Sequence, residues 1–157
     1  MNYLGIDYGE KRVGLSFGDE LGLALPIDAA TQAKKKARYQ YIGEIIKERK
    51  VHEIVVGYPI NMDGSIGFKA QEVDLFIIDL ENRFGLKIHR FDERLSSKQA
   101  INDLYDAGGK LPTNNQARRV FRASGKIDSR SAAIVLQDFL DMKKIDTEQA
   151  DIKQVEE

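Results

Sequence analysis

The sequence predicts one α/β domain: a mixed five-stranded sheet, with three strands in an antiparallel meander and two parallel, covered by helices on both faces. Three observations carry this. The first thirty residues alternate short apolar runs with turn formers, at a spacing too tight for helices. Two later apolar runs each follow an amphipathic helical pattern, the order that generates parallel strands. The chain has 157 residues, 42% hydrophobic and 31% charged, which suits a single globular core and lies far from the disordered class.

The elements follow in order. Tyr3, Leu4 and Ile6 form the first strand, closed by Asp7; Val13, Leu15 and Phe17 alternate with Gly14 and Ser16 in the second; Leu21 to Ile27 forms the third. The segments Asp7 to Lys11 and Gly18 to Glu20 supply turn formers between them. Tyr41, Ile42, Ile45 and Ile46 recur at helical spacing. Glu53 to Tyr58 is a β-branched run stopped by Pro59, and its lack of polar alternation marks a central parallel strand buried on both faces. After the turn-rich Ile60 to Ser65, the i, i+3, i+4, i+7 pattern of Val73, Phe76, Ile77 and Leu80 predicts a packed helix stopped by Gly85.

Leu86 to Phe91 reads as the fifth strand, and Ser96 or Ser97 caps a helix running toward Asp106 and ended by Gly108-Gly109. Gly109 to Lys126 reads as a mobile basic loop with one short helix. Asp128 or Ser129 caps the final helix, whose buried stripe is Ala132, Val135, Leu136, Phe139 and Leu140. Residues 1–143 then form the domain, and 144–157 a frayed, flexible acidic tail. This order of elements is that of an RNase H-like fold.

Composition narrows the function. No apolar stretch approaches the roughly 18 residues of a membrane span, and the first residues lack a basic region followed by an apolar run, so export and membrane insertion are not expected. There are no cysteines and only two histidines, His52 and His89, neither of which is assigned a site, so any metal is held by oxygen. The net charge of −1 conceals two basic segments. Lys34 to Lys50 carries seven bases against Glu44 and Glu48, and Gly108 to Arg130 carries six against Asp128 alone, a pattern able to grip a phosphate backbone.

Three acids stand where chemistry is usually built. Asp7 closes an apolar strand, where a carboxylate needs a partner or a cation. Glu93, in Asp92-Glu93-Arg94, lies just past the fifth strand, and Asp128 opens the last helix. Each also has an ordinary reading, as turn residue, surface ion pair and helix cap. If they converge on one edge of the sheet, their mutual repulsion calls for Mg²⁺ or Mn²⁺, and two such ions serve phosphodiester hydrolysis without a side-chain nucleophile. Lys11, Arg12 and Arg94 lie near them in sequence as cations for developing charge.

The blocks Gly5-Ile6-Asp7-Tyr8-Gly9-Glu10-Lys11-Arg12-Val13-Gly14, Val56 to Gly64, Phe91 to Ser96 and Gly125 to Ala133 resemble, in order, the signatures of the YqgF family. Its members are bacterial proteins described as pre-16S rRNA nucleases and as Holliday-junction resolvases. The resemblance implies an RNase H-like fold, a catalytic and metal-binding triad of Asp7, Glu93 and Asp128, and a cytoplasmic protein of ribosome biogenesis that trims the 5′ end of precursor 16S rRNA. It makes Asn61 a candidate for lining the substrate groove, and Lys11, Arg12, Arg94, Arg118, Arg119 and Lys126 complete the expected substrate-binding set. The stretch Arg118 to Ser124 and the acidic tail lie outside the family's blocks.

Three other readings compete. The same site serves to resolve branched DNA, since both reactions hydrolyse phosphodiesters. A non-catalytic nucleic-acid-binding assembly factor would keep the basic segments without cleavage. A phosphotransferase of the actin and sugar-kinase type shares the Asp7-Tyr8-Gly9 hairpin, but that architecture needs two such domains and this chain has one.

Overall fold

The computed structural model describes residues 1–95 and 115–155, with the backbone alone at Arg118, Phe121 and Arg122. The strands are β1 (Tyr3–Asp7), β2 (Val13–Gly18), β3 (Ala24–Ala30), β4 (Glu53–Tyr58) and β5 (Lys87–Asp92), in the order β3-β2-β1-β4-β5. The first three pair antiparallel, and β1, β4 and β5 run parallel, the mixed RNase H-like sheet that the sequence predicts. The helices are α1 (Lys35–Glu48), α2 (Phe68–Phe84), α3 (Asn115–Ala123) and α4 (Lys126–Val155). The expected helix between Ser96 and Asp106 and the loop up to Asn114 lie outside the described residues.

Alternation sorts the strand side chains. Leu4, Ile6, Ile54 and Val56 point to a face covered by α1 and α2, where they meet Ile42, Phe76, Ile77 and Leu80. Tyr3, Val55 and Phe91 point to the opposite face and pack on Val135, Leu136 and Leu140 of α4. Each fully buried Leu or Ile contributes about 1.5–3 kcal/mol. Gly85 ends α2 in the left-handed region at φ 64°, its N–H donating to the Glu81 carbonyl at 3.0 Å, a conformation without penalty only for glycine.

Three expectations are corrected. The third strand starts at Ala24, not Leu21, because Asp19 to Gly22 closes a turn: Gly22 donates to the Asp19 carbonyl at 3.0 Å and sits at φ 78°. Leu21 is consequently 89% exposed. The last helix starts at Lys126, so Asp128 lies within its first turn and neither it nor Ser129 is the cap; the first helical bond runs from the Ser129 N–H to the Gly125 carbonyl at 3.0 Å. The segment read as a frayed tail is helical to Val155, exposed from Asp141 onward, since no Gly or Pro interrupts it after Gly125. The short helix expected within the basic segment is α3, followed by Gly125 at φ 74°, pressed on Ala29 and Thr31 at the third strand's end.

Candidate active site

Parallel β1, β4 and β5 deliver their carboxyl ends to one edge of the sheet, and Asp7 is the last residue of the innermost of them. Tyr3 and Gly5, two and four positions before it, face α4, so Asp7 faces α4 as well. Two glycines decide what stands beside it. Across the antiparallel pair, Asp7 is opposite Gly14, and a Cβ on Gly14 would collide with the backbone carbonyl of Asp128. The first turn of α4 therefore lies directly on the β2 backbone, next to Asp7.

On the other side, Ile6 pairs with Val56, so Gly57 follows beside Asp7. A Cβ on Gly57 would stand 2.7 Å from Glu93 Oε1, so the Glu93 carboxylate rests on the bare Gly57 α-carbon. Glu93 itself lies in a single 3-10 turn (Glu93–Leu95) that bends the chain back after β5. Asp7, Glu93 and Asp128 thus share one face of one edge, all partly exposed, with Asp128 and Glu93 flanking Asp7.

Hydroxyls fix α4 in this seat. The β2–β3 pairing is irregular between Val13 and Leu15, and the Leu15 N–H donates to Ser129 Oγ at 3.2 Å. Ser16 Oγ donates to the Ala132 carbonyl at 2.8 Å. Both serines are buried, and so is each of these bonds. Arg12 Nε donates to Asp128 Oδ2 at 3.0 Å, which fixes that carboxylate at the β1–β2 loop.

The remaining expected residues divide. Arg94 is held by Asp92, Nε donating to Oδ2 at 3.0 Å and Nη2 at 2.8 Å; these hydrogen bonds hold the Asp92 carboxyl below its ordinary range and raise the guanidinium. Asn61 closes a tight turn, its N–H donating to the Ser65 carbonyl at 3.1 Å and its Nδ2 to Ser65 Oγ at 2.9 Å. The Arg94 Nη1 lies 3.8 Å from where a Gly64 Cβ would stand, so this turn borders the Glu93 side of the site. Lys11, Arg119 and Lys126 are exposed, Lys126 one half-turn before Asp128; the side chain of Arg118 lies outside the described residues. His52 Nδ1 accepts from the Asn2 N–H at 3.0 Å, and His89 pairs with Glu53 at 3.0 Å, both in structural roles.

Among the described residues, no three His, Asp or Glu side chains are drawn together into a cage for an ion. The donor set still suits Mg²⁺ or Mn²⁺, which are held by one or two carboxylates while keeping waters and meeting substrate phosphates. Carboxylates at an open sheet edge, with no thiol in the chain, are that kind of donor set.

Sequence reasoning singled out the three acids, which the structure places on one edge of the sheet, but gave Gly14 and Gly57 no role and Ser129 only that of a cap. A glycine inside a strand run is a signal of close backbone approach, but what approaches it was not visible.

Comparison with known proteins gives the family and the fold. Residues 1–142 match the model of the RuvX family, described as Holliday junction resolvase. A protein of Opitutus terrae named "Putative pre-16S rRNA nuclease" is 42% identical over 144 residues, covering 91% of this chain and 93% of its own. One of the same name from Trichormus variabilis is 38% identical over 142 residues, covering 90% and 88%. Among solved structures, T. thermophilus RuvC in complex with a Holliday junction substrate superposes with a TM-score of 0.52 at 12% identity, over 92% of this chain and 96% of that one, a likeness of fold. Among the described residues no helix is long and apolar enough to cross a membrane. By the span of its family match and the identity of its relatives, the chain belongs to the RuvX family of nucleases, the family whose YqgF signature blocks its sequence carries.

Proposed function

We propose that this protein is a Mg²⁺- or Mn²⁺-dependent endonuclease whose catalytic and metal-binding acids are Asp7, Glu93 and Asp128, and whose substrate is the 5′ region of precursor 16S rRNA. The observation that carries the reading is the pair of bare glycine backbones beside Asp7, one under Asp128 and one under Glu93. Three carboxylates on one face create the negative potential that recruits a divalent cation. A bound divalent ion would polarise a phosphodiester and lower the pKa of a water, so that no side-chain nucleophile is required.

The protein's own groups do the rest. Arg12 holds Asp128 in one orientation, so that carboxylate is not free to turn into solvent. Lys11 and Lys126 are exposed cations on the two segments that border the acids, suited to the phosphates flanking the cleaved bond. Arg118 and Arg119, in the sequence of α3 just before α4, are assigned to further phosphates of the same strand, and Arg94 with Asn61 borders the opposite side. Relatives named for pre-16S rRNA favour the RNA substrate. Branched DNA is the second reading, favoured by the family model's description as Holliday junction resolvase. A cytoplasmic site of action accompanies the RNA reading.

The test is cleavage of a labelled precursor 16S rRNA 5′ fragment and, in parallel, a four-way DNA junction, with Mn²⁺ or chelator, for wild type and Asp128→Asn. The expected result is RNA cleavage that needs metal and disappears in the variant. Cleavage of the junction alone would replace the substrate assignment, and binding without cleavage of either would move the protein to the assembly factors.

A further inference from the structure

Tyr8 follows Asp7, and strand alternation turns its ring to the opposite side of the sheet, away from the acids. There it lines a cleft of about 380 Å³ beneath α1 and α2, within the range of small-molecule sites. One wall is aromatic: the rings of Tyr8 and Phe76 are 4.7 Å apart at centroids, those of Tyr39 and Phe76 5.7 Å. Glu10 and Glu72 also line it, and among the described residues neither carboxylate is engaged in a hydrogen bond or an ion pair. At the rim stands Lys35, exposed, 3.6 Å from Asp79.

The rim of the cleft is tied together by one arginine. Arg38 Nη1 donates to the carbonyls of Gln32 and Ala33 at 2.8 and 3.1 Å, and Nη2 to the Glu10 carbonyl at 3.1 Å. That arginine ties the β1–β2 loop to the segment before α1, so Glu10 is presented on a fixed backbone rather than a loose loop.

We propose that this cleft is a guanine-binding site, in which the base lies against the half-buried Tyr8 ring, itself backed by Phe76, a carboxylate of Glu10 or Glu72 accepts from its N1–H and N2–H, and Lys35 meets the attached phosphate. A carboxylate only accepts hydrogen bonds, and guanine alone among the four bases offers two parallel N–H donors on one edge. Adenine and cytosine present an amino group beside a ring acceptor, which the carboxylate repels. Uracil presents a single N–H between two carbonyls. Stacking on an aromatic ring supplies about 1–3 kcal/mol for any base, so the acids set the preference. The guanine belongs either to a free nucleotide or to a strand that crosses the sheet edge at Asp7; the second case rests on the nuclease reading, the first does not.

The experiment titrates the full chain, in chelator, with GMP, AMP, CMP and UMP, following the Tyr8 and Phe76 ring signals by NMR. Expected is saturation by GMP in about the millimolar range or tighter, at least about tenfold tighter than AMP, with the preference lost in Glu10→Gln/Glu72→Gln while the melting temperature of the unliganded variant stays unchanged. No saturation by GMP, equal binding of all four, or a preference that survives the double variant overturns the proposal. A second arm measures binding of a single-stranded RNA with one guanine against the same strand with inosine, which lacks the N2 amino group. Weaker binding of the inosine strand, abolished in the double variant, assigns the site to a base of the strand; GMP binding with indifference to inosine assigns it to a free nucleotide. Neither arm reads cleavage, so the guanine site stands or falls apart from the nuclease reading.

Discussion

The two faces of the sheet are built on different principles. Under α1 and α2 the contact is made by bulk: Leu4, Ile6, Ile54 and Val56 meet Ile42, Phe76, Ile77 and Leu80, and the helices ride on side chains. Under α4 the helix comes down onto backbone. Gly5, Gly14 and Gly18 of the strands leave room for Leu136, the Asp128 carbonyl and Leu140, and Ser16 and Ser129 tie the two layers by hydrogen bonds. The first face supplies most of the buried apolar volume. The second spends less volume on a closer and more directional fit, and it is the face on which the acids stand. Stability and placement of the acids are thus separable properties of this molecule.

The largest test of that separation is Asp7→Asn. Cleavage of the RNA fragment falls by about 10²-fold or more, while the denaturation midpoint barely moves; cleavage at the wild-type rate would remove Asp7 from the site. Next, Leu80→Ala on the bulk face costs about 2–5 kcal/mol yet leaves the rate per folded molecule unchanged. Gly14→Ala on the close face drives a methyl into the Asp128 carbonyl, costing about 1–3 kcal/mol, and lowers cleavage as well. Urea denaturation run beside single-turnover cleavage compares the pair, and equal activity in both variants would erase the distinction.

A smaller effect follows from Arg12→Gln. Its pair with Asp128 is about one-third exposed, so stability falls by at most about 1 kcal/mol. Cleavage falls about 10–100-fold because the carboxylate loses its orienting partner; a stability loss with no loss of rate would make the pair structural. The smallest concerns Asp92, whose folded-state pKa is depressed by hydrogen bonds from Arg94. A depressed carboxylate contributes stability above its unfolded pKa and loses it as pH falls through the folded value. The stability difference between wild type and Asp92→Asn is therefore full at pH 7, begins to shrink at about pH 4 and is lost only as pH falls through the depressed folded-state value, as denaturation across that range will read; a difference constant with pH would mean that ionisation of Asp92 contributes nothing.

Much of the fold was legible because its signals are local. β1, β2, β4 and β5 announce themselves by apolar runs, and Gly85 marks the end of α2. The third strand slipped because Leu21 and Leu23 look like core, whereas pairing with β2 begins only at Gly18 opposite Ala24, after the turn has used the residues between. The helical course past Lys144 was missed because charge was read as disorder although every residue there is compatible with a helix. The acids were legible as carboxylates at element ends. Their setting was not, since the Gly14 contact with Asp128 spans more than a hundred residues of sequence, as does the Arg12 pair. No local pattern encodes a contact of that range.

One feature of α4 bears on how the acids respond to the rest of the cell. The helix is 30 residues long, about 45 Å at 1.5 Å per residue, and its far end projects beyond the span matched by the family model. Asp128 sits in the first turn, where the helix bears on Gly14 without clearance. The helix is packed on the sheet as far as Leu140, so the free arm begins at Asp141 and the acid lies behind that packing. A bend of about 5° where the arm leaves the sheet swings the tip by about 2 Å, at about 1.5 Å per residue, and is not passed on to Asp128. Whatever is tethered at the carboxyl end, a tag or a neighbouring assembly, pulls on the long arm and leaves the acid nearly still.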